Sequence, residues 1–304
     1  MGRRIVSLLP SATEIVAALG HGAELVGRSH ECDFPPHVVD LPVVSRPRRE
    51  PVGSSRQIHR GVVDLLARVL SIYQVDPDAL AAADPDLIIT QDMCRVCAVA
   101  AEEVVRAARA YLDRDVDVVT SSPMTLQQVF ADVVRIADAL DDRAAGEALV
   151  DRMHAELDDL AATVAGRRRP RLALLEWTDP VMAGGNWAPE LVEIAGAEPV
   201  LGVPGGHSPT VTPEVLRGCD PDVIVIAPCG FDLDRAVGDR HIVAALDGWE
   251  DLSAVRSGRV AFADGSAYFN RPGPRLVMSA AIVVAVAHGV GPAMPLEGGA
   301  WQRW

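Results

Sequence analysis

The sequence predicts an α/β protein of two related lobes joined by a long helix. Three observations lead there. Short apolar runs of strand character alternate with helical periodicity along most of the chain. From 126 to 164 the pattern stays helical, as one helix and then a long second one. A motif of the first half also returns in the second: Ala83-Asp84-Pro85-Asp86-Leu87-Ile88-Ile89-Thr90 matches Cys219-Asp220-Pro221-Asp222-Val223-Ile224-Val225-Ile226. Each copy follows a short helix introduced by a proline, Pro77 and Pro213, and residues 4–9 answer residues 171–176.

The elements follow in order. Residues 5–9 make a first strand. Ser11-Ala12-Thr13-Glu14 has the spacing of a capping box and opens a helix over 15–19, closed by Gly20. Residues 55–70 carry helical spacing through Ile58, Val62, Leu65, Leu66 and Val69. Residues 86–90 are a buried strand, 99–112 a helix and 116–120 another strand. After Pro123, Leu126, Val129, Phe130, Val133, Ile136, Ala137 and Leu140 mark one helix. Asp141 and Asp142 cap a second, through Leu149, Met153, Leu157, Leu160 and Val164. At about 1.5 Å per residue it is on the order of 35 Å long. Arg167-Arg168-Arg169-Pro170 ends it, and the alternation restarts at Arg171. The expected division is a first lobe over 1–122, linking helices over 123–169, a second lobe over 170–290, and a Gly/Pro-rich tail over 291–304 that holds Trp301 and Trp304.

Composition narrows the function. Of 304 residues, 28 are basic, all of them arginine, against 42 acidic, so the formal charge is 28 − 42 = −14. Such a chain lacks the basic face that a nucleic acid requires. No segment reaches the roughly 20 apolar residues that span a bilayer. Arg3 and Arg4 ahead of an apolar run imitate a secretion signal, but Pro10 interrupts the run and Glu14 falls inside it. The segment therefore reads as a strand and the protein as cytoplasmic. Five cysteines are too few to staple a chain of this size.

Open parallel sheets bind ligands beyond the carboxyl ends of their strands. That places Pro10, Ser11, Ser29, Glu31 and Gln91 of the first lobe, and Trp177, Asn186, Trp187, His207, Phe231 and Phe269 of the second, as candidate ligand contacts. Scarce aromatics in such loops suit a flat ligand, and Trp177 and Trp187 lead them. Four of the five cysteines also fall there. Cys94-x-x-Cys97 lies between a strand end and a helix start, where helix amides favour thiolate. With His30, Cys32 and Cys229 it forms a candidate set for a thiolate-bound metal or an Fe–S cluster. A redox dithiol and plain packing of small residues are the competing readings. His30 and His207 are candidate axial ligands to cobalt or iron. No nucleophile elbow, Walker loop or dinucleotide fingerprint is present. Glu31, Asp33, Asp92 and Glu176 are acid–base candidates and equally polar ligand contacts. The chain reads as a binder before an enzyme.

With Val6-Ser7-Leu8-Leu9-Pro10-Ser11-Ala12-Thr13-Glu14, Asp33-Phe34-Pro35-Pro36, both Asp-Pro-Asp motifs, Gly258-Arg259-Val260 and Gly273-Pro274-Arg275-Leu276 in order, the chain resembles the helical-backbone class of ABC-importer substrate-binding proteins. It is most similar to their cobalamin-binding branch, in a subgroup without an export signal. The resemblance spans roughly residues 4–290. It implies two Rossmann-like α/β lobes about one long backbone helix and a ligand cleft between the lobes. The ligand it implies is cobalamin or another metal chelate, and an ABC permease is the implied macromolecular partner. The family's aromatic positions are held here by Glu31 with Cys32, by Gln91 and by His207; Trp177 keeps one. Three readings stand: a corrin-type ligand binder, a cytosolic metal- or Fe–S-dependent enzyme or redox protein, and the receptor of an importer.

Overall fold

The apolar run that opens the chain becomes β1 (Ile5–Ser7), fully buried inside a six-stranded sheet. The computed structural model describes residues 2–67, 72–91, 101–112 and 115–304. The chain divides into two units. The first comprises Met1–Gly53, Arg60–Pro123 and Gln127–Asp151; the second comprises Ser54–His59, Met124–Leu126 and Arg152–Trp304.

In the first half β1 is followed by α1 (Pro10–Ala18), β2 (Leu25–Ser29), β3 (Val43–Pro47) and α2 (Ser55–Leu66). Then come β4 (Tyr73–Val75), α3 (Pro77–Ala83), β5 (Leu87–Gln91), α4 (Ala101–Tyr111), β6 (Asp117–Ser121) and α5 (Leu126–Ala139). The sheet order is β4-β3-β2-β1-β5-β6, parallel except for β4. Helices cover both faces of such a sheet, so β5 is buried at every position and reads as one apolar run.

The helix α6 (Arg143–Val164) has 22 residues, about 33 Å of rise. Asp142 caps it by accepting the Ala145 N–H at 3.3 Å. Leu149, Met153, Leu157, Leu160 and Val164 form its buried stripe.

The second half holds β7 (Arg171–Thr178), β8 (Val181–Ala183), α7 (Ala188–Ile194), β9 (Glu198–Pro199), α8 (Pro213–Cys219) and β10 (Val223–Ile226). It continues through α9 (Leu233–Gly238), α10 (Arg240–Ala244), α11 (Ser253–Arg256), β11 (Val260–Ala263), α12 (Leu276–His288) and β12 (Trp301–Arg303). Here the order is β12-β11-β10-β7-β8, with β9 also on β7. Strands β7, β10 and β11 are parallel; β8 and β12 run antiparallel at the two edges.

The repeated Asp-Pro-Asp motif is a register clamp. Asp84 ends α3 in the left-handed conformation at φ 41°, and Asp220 ends α8 likewise at φ 36°. Aspartate tolerates that region better than most side chains. The proline stops the helix. The second aspartate then grips the neighbouring strand twice. The Asp86 carboxylate accepts the Arg4 N–H at 2.8 Å while its own N–H donates to the Arg4 carbonyl at 2.8 Å. Asp222 does the same to Arg171, at 2.9 and 2.8 Å.

Two local expectations are corrected. Helix α1 starts one turn earlier than the capping-box reading: Leu9 is its N-cap and Pro10, with no N–H to satisfy, is its first residue. Ser11 and Glu14 thus lie inside the helix, and both are buried. The residues after 290 are not a loose tail. Trp301 is wholly buried, its indole N–H donates to the Ala293 carbonyl at 2.8 Å, and β12 pairs with β11. Trp304 stacks on Phe262 at 5.5 Å in the second lobe's core. No helix among the described residues is long and apolar enough to cross a membrane.

Candidate functional site

Topology marks one place in each sheet. In the first, the chain leaves β1 toward β2, β3 and β4 and then returns to β5 on the other side of β1. In open sheets such a divergence is where ligands bind, beyond the carboxyl ends of the two strands, here β1 and β5. Pro10 and Ser11 lie buried in the first turn of α1, just past β1, and Gln91 is the buried last residue of β5. The Ser11 hydroxyl has no hydrogen-bond partner among the described residues.

One strand over, the end of β2 carries a polar group with defined geometry. Ser29 Oγ accepts the Glu31 N–H at 3.1 Å, and the Tyr73 hydroxyl donates to Glu31 Oε1 at 2.7 Å. The His30 ring packs against Tyr73 at 4.8 Å between centroids, with Nδ1 3.4 Å from the Ser45 hydroxyl. Burial lowers the His30 pKa below the ordinary imidazole value. The ring is therefore neutral at physiological pH, and a neutral imidazole held through Nδ1 offers Nε2 as a metal ligand. Cys32 behaves differently. It is 1% exposed and its sulfur accepts the Thr13 hydroxyl at 3.0 Å, which makes it a core residue.

In the second sheet the switch falls between β7 and β10. Trp177 projects there, half-buried, and rests on Phe231 at 5.1 Å between ring centroids. Its indole N–H donates to the Asp179 carbonyl at 3.1 Å, and the Asp179 carboxylate holds Arg56 at 2.7 Å. Behind Phe231 lies the Arg235 guanidinium, 4.2 Å from the ring centroid. Arg235 is paired with Asp239, 2% exposed, which also accepts the Thr178 hydroxyl. An ion pair thus backs the aromatic pair.

Beside it, a glycine-built loop fits close against its neighbour. A side chain on Gly185 would lie 2.5 Å from the Ser208 nitrogen and 2.7 Å from the Gly206 oxygen. The contact lets the Asn186 N–H donate to the Gly206 carbonyl at 2.6 Å and the Gly205 N–H to the Asn186 carbonyl at 3.0 Å. Asn186 itself sits at φ 52° with a buried Oδ1 that has no partner among the described residues. The Glu176 carboxylate ties the two parts together through the Ser208 hydroxyl and the Gly185 N–H, and burial raises its pKa in spite of both. His207 stands exposed on this loop.

The other candidates are placed as follows. Phe231, Trp187 and Phe269 are buried, and the Trp187 indole N–H is spent on the Phe269 carbonyl at 3.2 Å. Cys229 is half-buried after β10, its N–H on the Glu176 carbonyl at 2.9 Å. Cys94, Cys97 and Asp92 lie outside the described residues. Among the described residues no three His, Cys, Asp or Glu side chains come close enough to hold a metal ion. The reading of a cysteine-lined metal or Fe–S site therefore gains no support, and Cys32 in particular is corrected to a packing residue. Arg271 lies in a loop that the sequence marks as following the last strand, without a role of its own. It is 6% exposed after β11 and donates to the Ser266 hydroxyl at 3.3 Å. Only its position after the last parallel strand, beside Asn270, hinted at it.

A profile of the family described as periplasmic binding protein matches residues 5–267. A vitamin B12-binding protein of Vibrio parahaemolyticus is 25% identical over 275 residues, covering 90% of this chain and 84% of its own length. A Bacillus subtilis protein named as an ABC transporter substrate-binding lipoprotein is 24% identical over 282 residues, 90% of this chain and 76% of that one. Among solved structures, the apo form of the periplasmic heme-binding protein RhuT of Roseiflexus sp. RS-1 superposes with a TM-score of 0.69 at 22% identity. It covers 95% of this chain and 99% of the other. These matches overturn the expectation of a cytoplasmic protein: the matching family and the solved relative are periplasmic, and the Bacillus relative is a lipoprotein. A strand-forming, proline-broken start is thus no guide to compartment.

Proposed function

Since the chain belongs to the periplasmic binding protein family, we propose that it binds a flat metal chelate of the corrin or porphyrin type at the strand-end edges of its sheets. The observation that carries this is the Trp177 platform. A half-buried indole, propped by Phe231 and backed by the Arg235–Asp239 pair, stands at a topological switch point. Such a rigid apolar face suits stacking against a planar ring. His207, exposed on the glycine-built loop, and His30, held through Nδ1, are the proposed metal-facing imidazoles. Ser11, Ser29, Glu31, Gln91 and Asn186 are the proposed polar contacts to the ring's side groups. Pro10, Trp187, Phe231 and Phe269 shape the walls. Relatives named for vitamin B12 and for heme favour this ligand class. The same reading makes the protein the receptor of an ABC importer, in keeping with the Bacillus relative's name.

Titration with cyanocobalamin, aquocobalamin, cobinamide and hemin tests it, followed by absorption and tryptophan fluorescence. The expected result is saturable quenching by at least one of them at one-to-one stoichiometry, weakened in Trp177→Ala. No binding of any of the four by the intact protein would overturn the assignment.

A further inference from the structure

A cavity of about 310 Å³ opens at the opposite, amino-terminal edge of the second sheet. Gly258 and Arg259 lead into β11 there, α12 ends there, and Arg303 of β12 closes one side. Its floor is apolar, from Val260, Ala285 and Val286; its polar rim is Arg259, Arg303 and His288, with no carboxylate among the lining residues. In a chain with 42 acidic and 28 basic residues, a cavity whose charged lining is basic runs against the composition.

The helix end is the main objection. A helix C-terminus carries partial negative charge and by itself repels anions. Here two carbonyls of the last turn are already taken. Arg259 Nη2 donates to the Ala287 carbonyl, and the Gly289 N–H donates to the Ala285 carbonyl at 2.9 Å. Both guanidiniums keep further donors. Arg303 spends its Nη1 on Glu297, at 3.0 and 2.8 Å, and a guanidinium has five N–H groups in a fork that matches a carboxylate. Arg167 and Arg259 add to burial in lowering the His288 imidazole, while Glu297 on Arg303 and Asp222 near Arg259 offset part of the positive charge.

We propose that this cavity is a second ligand site, which takes a small organic carboxylate with an apolar body. The carboxylate pairs with Arg259 and Arg303, and the apolar part covers Val260, Ala285 and Val286. The site lies at the other end of the strands from the Trp177 platform and does not depend on the proposed function.

The test uses the intact protein with sodium benzoate, inorganic phosphate and chloride, read by the NMR signals of the His288 ring. Benzoate is expected to shift them saturably, phosphate to bind more weakly, and chloride to do nothing at equal ionic strength. Arg303→Gln, at an exposed position, is expected to weaken benzoate on the order of tenfold by loss of a charge-assisted pair. Arg259→Gln adds a second variant, with circular dichroism to show that α12 remains folded. The proposal is overturned by any of three results: no saturable shift with benzoate, a shift indifferent to Arg303→Gln, or phosphate binding as well as benzoate.

Discussion

Arg235→Met tests the support of the Trp177 platform. Methionine keeps a long side chain over Phe231 but strips Asp239 of its charged partner. Asp239 is 2% exposed and is left with the hydrogen bond from the Thr178 hydroxyl. A hydrogen bond to a charged group contributes about 1.5–3 kcal/mol, and a cation over an aromatic face about 0.5–2 kcal/mol. The Arg235 side chain is 34% exposed, so solvent screens its share of the pair. The lower halves of those ranges apply, and the variant should lose about 2–3 kcal/mol. Asp239→Asn on top of it removes the stranded charge and leaves an acceptor for Thr178. The double variant should therefore lose less than the sum of the singles, with a coupling of about 1–2 kcal/mol. Urea titration of the four proteins, followed by tryptophan fluorescence, measures this, because Trp177 reports on Phe231 directly. Single costs that add to within about 0.5 kcal/mol would refute the coupling.

Gly185→Ala should open the 184–208 contact and destabilise by about 1–3 kcal/mol, as overpacking does. Hydrogen exchange should rise at the amides of Gly205 and Asn186; unchanged exchange there would contradict the close fit. Glu176→Gln should flatten a pH dependence. The raised carboxyl holds a proton that the unfolded chain releases, so its contribution is lost as pH rises from the unfolded value, about 4.3, toward the folded one. The variant's advantage in urea midpoint should then grow over that window, and a constant gap would sink the assignment. Cys32 should resist a thiol reagent until the protein unfolds, while Cys229 reacts in the native state. Modification of Cys32 in folded protein would remove its place in the core.

What could be read from the residues depended on how local the cause was. The parallel central strands were legible because burial on both faces writes an uninterrupted apolar run, and the Asp-Pro-Asp clamp because helix stop, proline and grip are consecutive in sequence. The α6 cap at Asp142 was legible for the same reason. The cap of α1 was not: two overlapping signals compete at Pro10 and Ser11, and the proline at the first helical position wins. Strands β4 and β12 are short antiparallel additions whose pairing comes from residues far away, so Trp301 looked like part of a free tail. The same holds at the site. Position at or just past a strand's carboxyl end found Trp177, which lies in β7 itself, and Asn186, but no local rule separates a half-buried Trp177 from a buried Trp187, or reveals that Arg271 is enclosed.

The two register clamps bear on how the chain avoids pairing the wrong halves. They join residues 82 and 51 positions apart. Closure entropy grows only logarithmically with that span, so the two differ by about 0.4 kcal/mol. Since the two motifs look alike, energy alone would give a crossed pairing of residue 4 with residue 222 little handicap. Order of synthesis separates them. Residue 86 is made 136 residues before residue 222, on the order of ten seconds at cellular rates. That interval gives the first clamp time to close before the second motif exists, so that the strand that could be stolen is already taken.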